Sequence, residues 1–124
     1  MKTCIEVTGL PKAGPYSHAV RMGGLIFVSG NVAFDPDTGK AVKGDIPQAT
    51  KVILSNIERT LAAAGSDLSK VVKTTIFLTD MGTFSQMNEV YGKVFADNPP
   101  ARSTVGVKEL PGGYDIEIEV IAGA

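Results

Sequence analysis

The sequence predicts an α+β domain with its elements in the order βββαβαββ, a six-stranded mixed sheet with two helices on one face. Three observations predict it. Short β-branched runs stand at both ends of the chain, as in Ile26-Phe27-Val28 and Ile116-Glu117-Ile118-Glu119-Val120. Two segments between them repeat apolar residues at helical spacing. Glycine and proline clusters separate all of these elements.

Taken in order, Ile5 and Val7 flank Glu6 in a short first strand, and Gly9–Pro15 is a stiff loop. Ala19–Met22 and Leu25–Ser29 read as strands joined through Gly23-Gly24, a two-residue hairpin signal. Asp35–Gly39 is a turn by composition. Asp45 reads as an N-cap, with Pro47 in the first turn and Gln48 completing a capping box. Ala49, Val52, Ile53, Ile57, Leu61 and Ala64 then give the first helix its apolar stripe, and Gly65 ends it. Val71–Thr79 is a strand dense in β-branched residues. Thr83 with Gln86 reads as a second capping box, before the stripe Phe84, Met87, Tyr91, Val94 and Phe95. Ser103–Lys108 and Tyr114–Ala122 close the sheet across Leu110–Gly113.

Residues 1–124 read as one domain, without repeats or linkers. Composition is 44% apolar and 20% charged, which fits a folded chain and not a disordered one. Net charge is −1 with no Lys/Arg run, so nucleic acid is not an expected partner. No apolar run approaches the roughly 20 residues a membrane helix requires. Glu6 comes too early for a secretory leader, and the single cysteine, Cys4, excludes an internal disulfide framework, so the expected location is the cytoplasm. Two helices cover only one face of such a sheet, yet Leu25–Val28 and Val71–Leu78 carry apolar or Thr side chains on both faces. A homo-oligomer that stacks the uncovered faces is therefore expected.

The candidate chemistry centres on Arg102, which Pro99-Pro100 delivers to the mouth of a strand. A guanidinium fork suits bidentate carboxylate binding; an ion pair with Glu117 or Glu119 is the competing role. Those glutamates share one face of the last strand, opposite Ile116, Ile118 and Val120. They are either a solvated outer face or, if oligomerisation covers it, a carboxylate with a task. Tyr16-Ser17-His18, Ser29-Gly30-Asn31 and Asn88 are each compatible with a cleft or with ordinary turn, strand-end and helix polarity. With one histidine, no His-ligated metal cluster or Ser-His-acid triad is expected. Asp35-x-Asp37-x-Gly39 lacks the later ligands of a calcium loop.

Together, Gly14-Pro15-Tyr16-Ser17, Phe27-Val28-Ser29-Gly30, Val72–Leu78, Met87–Tyr91, Pro100-Ala101-Arg102-Ser103 and Ile116–Glu119 resemble the reactive intermediate deaminase (RidA/YjgF) family over nearly the whole chain. The resemblance implies a chorismate-mutase-like fold, a homotrimer with clefts between subunits, and cofactor-free hydrolysis of 2-imino acids such as 2-iminobutanoate and 2-iminopropanoate to 2-oxo acids and ammonia. By the same resemblance Arg102 holds the substrate carboxylate, Glu117 orients or activates water, and Tyr16, Ser29, Asn88 and Thr104 line the pocket. Thr104 occupies a position where many relatives have cysteine. His18 and Asn31 stand where glutamine is common, and no isoleucine precedes Gly14-Pro15-Tyr16, all of which bears on substrate preference. The alternative reading is a non-catalytic protein that binds a 2-oxo acid in the same cleft and regulates a partner.

Overall fold

The computed structural model describes residues 1–124. Its strands are β1 (Thr3–Ile5), β2 (Ala19–Met22), β3 (Leu25–Val32), β4 (Phe34–Asp35), β5 (Lys40–Ala41), β6 (Val71–Leu78), β7 (Ala101–Gly106) and β8 (Ile116–Gly123); its helices are α1 (Ile46–Ala63) and α2 (Phe84–Val94). Six strands form one mixed sheet in the order β1-β2-β3-β8-β6-β7. Only β6 and β7 run parallel, and α2 is the crossover that such a pair requires. β4 and β5 form a separate small hairpin where the sequence reads only as a turn.

Local chemistry accounts for the frame. The β2–β3 hairpin pairs Met22 with Leu25 across Gly23-Gly24, and Gly23 takes a φ of 60° that a side chain disfavours. Asp45 caps α1 as expected, its carboxylate accepting from the Gln48 N–H at 3.1 Å. The far end of α1 is a Schellman motif: Gly65 has a φ of 80° and its N–H reaches Ala62 O, while the Ser66 N–H reaches Leu61 O at 2.8 Å. The start of α2 departs from expectation. A short 3₁₀ turn, Met81–Thr83, precedes it, and the Thr83 hydroxyl donates backward to Asp80 O at 2.6 Å instead of capping the helix. Asp80 takes the capping role for that turn, accepting from the Gly82 N–H at 2.8 Å.

Both helices lie on one face of the sheet. The core between them gathers Ile26, Val28, Ile76, Leu78, Ile116, Ile118 and Val120 from the strands with Ile53, Ile57, Leu61, Met87 and Tyr91 from the helices. On α2 the buried stripe uses Val90, whereas Val94 is 40% exposed, because the register that buries Tyr91 and Phe95 turns Val94 outward. β7 begins at Ala101, ahead of the expected start, and β8 begins at Ile116, after it.

The opposite face has no covering layer. Leu25, Phe27 and Val105 there are 40%, 44% and 41% exposed, and Ile121 and Phe77 continue the same face through direct register with Phe27 and Val105. The face that carries these apolar side chains also carries Glu117 and Glu119, opposite Phe77 and Thr75.

Candidate functional site

The residues singled out in the sequence assemble into two groups, on opposite faces of the sheet. Arg102 pairs in register with Thr74, a fully buried residue of the helix-covered face. Its side chain therefore meets α2. Nη1 donates to Asn88 Oδ1 at 2.6 Å, and the guanidinium carbon stands 4.9 Å from the Tyr91 ring centre and 5.5 Å from that of Phe84. None of the ion pairs in the protomer involves Arg102, so the competing role of an internal partner for Glu117 or Glu119 falls away. Thr104 follows two residues on along β7, on the same side of the strand. Its hydroxyl is buried without a hydrogen-bond partner.

Glu117 belongs to the second group. It alternates with the buried Ile116 and Ile118 and so faces away from the helices. It lines a cleft of about 600 Å³ together with Tyr16, His18, Ser29, Gly30, Asn31 and Tyr114. A register shift between Val28 and Asn31 interrupts the β3–β8 ladder and sets Gly30 beside the carboxylate: a Cβ at residue 30 would stand 2.6 Å from Glu117 Oε2. Burial, reinforced by the charge of Glu119, holds the Glu117 carboxyl above its ordinary range.

The cleft wall is the stiff loop before β2, tied down by side chains. The Ser29 hydroxyl donates to Ser17 O at 2.7 Å, and Tyr16 Oη accepts from the Ala13 N–H at 3.2 Å. His18 uses both ring nitrogens, Nδ1 accepting from the Val7 N–H at 2.8 Å and Nε2 donating to Leu10 O at 3.0 Å. Glu6 Oε2 also lies 3.1 Å from Nδ1. His18 is thus a staple across the loop, a role that its isolated place in the sequence does not signal.

Tyr16, Ser29 and Glu117 therefore share one cleft, while Arg102, Asn88 and Thr104 share the edge of the sheet under α2. The protomer does not unite them. Phe84 and Tyr91 read as core-stripe residues in the sequence; the only signal of another role is their spacing around Asn88.

Comparison with known proteins places the chain as a whole. The family model described as Endoribonuclease L-PSP matches residues 3–124. The chain belongs to this family, that of the RutC and Rid proteins. It is 46% identical to a RutC family protein of Pyrococcus horikoshii, over 98% of both chains. It is 42% identical to the 2-iminobutanoate/2-iminopropanoate deaminase of Mus musculus, over 98% of this chain and 91% of the relative. Among solved structures, a conserved Rid family protein of Yersinia pestis superposes with a TM-score of 0.94, at 45% identity and with both chains fully covered. The resemblance drawn from the sequence and the fold it implied both stand.

Proposed function

We propose that this Rid-family protein hydrolyses small 2-imino acids to 2-oxo acids and ammonia, in clefts formed between copies of the chain in a homotrimer. The observation that carries the reading is the state of Arg102: a guanidinium held by an amide oxygen and aromatic rings, with no carboxylate to neutralise it. Such a group is ready for the carboxylate of a ligand. The named deaminase activity of the mouse relative supports the same substrate class.

The two-faced arrangement supports the assembly. β7, which carries Arg102, is an edge strand, and the uncovered face that carries Glu117 is apolar. Stacking such faces around an axis buries Leu25, Phe27 and Val105 and brings the β7 edge of one copy to the Glu117 cleft of its neighbour.

The chemistry needs little more than placement. An imine carbon is electrophilic once its nitrogen is protonated. Arg102 anchors the carboxylate, and Glu117 accepts a proton from the water that attacks this carbon. The resulting tetrahedral aminoalcohol collapses when that proton passes from Glu117 to the departing nitrogen, and the carbinol hydroxyl gives its own proton to the released ammonia as the C=O bond forms. Water and imine are consumed; 2-oxo acid and ammonia leave. A carboxyl held above its ordinary range suits both halves of that transfer. The net charge of −1, with glutamates on the face that would meet a ligand, is unsuited to an RNA backbone, despite the family description.

The test generates the imine with an amino-acid oxidase in the presence of semicarbazide. Wild type suppresses the semicarbazone, and Arg102→Ala loses about 10²-fold or more in kcat/KM, since charge-assisted hydrogen bonds contribute roughly 1.5–3 kcal/mol each. A wild-type rate in Arg102→Ala refutes the assignment. Binding of 2-oxo acid by wild type without turnover would make the protein a metabolite-binding regulator instead.

A further inference from the structure

Arg102 is held without being neutralised, and the residues that hold it come from one face of one helix. Phe84, Asn88 and Tyr91 are spaced by four and three residues along α2, so they project together over β7. Asn88 takes one edge of the guanidinium through its Oδ1, and the ring centres of Tyr91 and Phe84 lie 4.9 and 5.5 Å from the central carbon. The Tyr91 ring is itself fixed at its far end. Its hydroxyl lies 2.7 Å from Thr74 Oγ1, and Thr74 is the β6 residue in register with Arg102. The ring also packs on Phe95, with centroids 4.8 Å apart. A closed circuit results, from Arg102 to the Tyr91 ring, through its hydroxyl to Thr74, and back across the strand pair to Arg102.

The chemistry of these holders is specific. A carboxylate would grip an arginine more firmly, and would also compete with any carboxylate ligand. Aromatic faces and an amide oxygen orient the guanidinium plane and leave its positive charge unspent. Nε and Nη2 make no hydrogen bond within the protomer, so the opposite edge of the fork keeps its donors.

We propose that Phe84 and Tyr91 are positioning residues for Arg102, setting the plane in which it receives the substrate carboxylate. This rests on the reading of Arg102 as the carboxylate anchor. Because both rings act on ligand capture and not on proton transfer, their loss raises KM and leaves kcat nearly unchanged.

The experiment compares Phe84→Leu, which removes the ring, with Phe84→Tyr, which restores it. Each is also made in the Arg102→Ala background, and trimer size and Tm confirm folding. Steady-state rates come from the imine-trapping assay; pyruvate, a 2-oxo acid that does not turn over, is titrated by NMR so that weak binding remains measurable. Phe84→Leu is expected to raise KM and the pyruvate Kd about three- to tenfold, with kcat within about twofold, as the usual strength of a cation–π contact implies. Phe84→Tyr returns both to wild type, and Phe84→Leu adds nothing once Arg102 is alanine. Asn88→Ala, at an exposed residue of the same helix face, shows the same KM effect and serves if Phe84→Leu fails to fold. An unchanged Kd in both Phe84→Leu and Asn88→Ala overturns the proposal, as does an equal loss from Phe84→Leu with and without Arg102. A wild-type pyruvate Kd in Arg102→Ala is a separate result, and it removes the anchor reading itself.

Discussion

Gly30 and Glu117 occupy one space: a Cβ on residue 30 would come within 2.6 Å of Glu117 Oε2 and 2.8 Å of its Cδ. The glycine is required here for room and not for backbone freedom, since its φ is not positive. Gly30→Ala should therefore leave the fold standing, because only the far end of a flexible side chain must move. It should displace the carboxylate by around an ångström, and misplacement on that scale costs about 10²-fold in rate. Retained Tm with lost turnover is the expected pair of results; retained turnover would show that Glu117 works from another position.

Glu117 should be a stability liability. Burial raises its carboxyl above 4.5, so as pH climbs through the interval between 4.5 and that raised value the unfolded chain releases a proton that the native chain keeps. Stability therefore falls across this window and stays lowered above it. Glu117→Gln has no such penalty. Its melting temperature should exceed that of wild type at pH 7, with the gap closing toward pH 4, while imine hydrolysis is lost. Thermal melts across pH, set beside the trapping assay, check both halves.

Glu119 raises Glu117 further by charge repulsion, after burial. Glu119→Gln removes that neighbour, so the Glu117 carboxyl should ionise at lower pH. The acidic limb of the pH–kcat/KM profile is expected to move toward acid with little change in the plateau. An unmoved limb would place its titration on another group.

Phe27 is 44% exposed at the centre of the uncovered sheet face. Phe27→Glu should hold the protomer fold, since its partners in register, Val20 and Ile121, need no contact with its outer side. Assembly should fail, because a buried charge without a partner is costly. Light scattering should find a monomer of 13.0 kDa, and the trapping assay should find it inactive.

The parts of the fold that were legible in the sequence are those specified locally. Asp45 marks the start of α1 and Gly65 its end, and the structure returns both as hydrogen-bonded caps, although only the Asp45 half of the expected capping box forms. Gly23-Gly24 marks its hairpin in the same way. Thr83 shows the limit of such signals. Its hydroxyl goes to the backbone carbonyl of Asp80, an acceptor that every residue type supplies and no pattern of residue types announces. The candidate residues could be picked out one by one in the sequence, but not their arrangement. Whether Arg102 meets Glu117 depends on how β7 registers beside β6, where a shift of one residue reverses every side chain. Nothing within residues 99 to 105 encodes that register. The rings around Arg102 were hidden for a related reason: Phe84 and Tyr91 satisfy the helical apolar period whether or not they also hold an arginine.

The placement of Arg102 and Glu117 on opposite faces also has a genetic consequence. If each cleft draws its guanidinium from one subunit and its carboxylate from the next, two defective gene copies can repair each other. A trimer mixing Arg102→Ala subunits with Glu117→Gln subunits contains some clefts that receive the intact arginine of one and the intact glutamate of the other. Random mixing in equal amounts should restore about a quarter of the clefts. Two inactive preparations, unfolded and refolded together, should then show activity that neither has alone, and a heterozygote carrying both alleles should behave as a partial wild type.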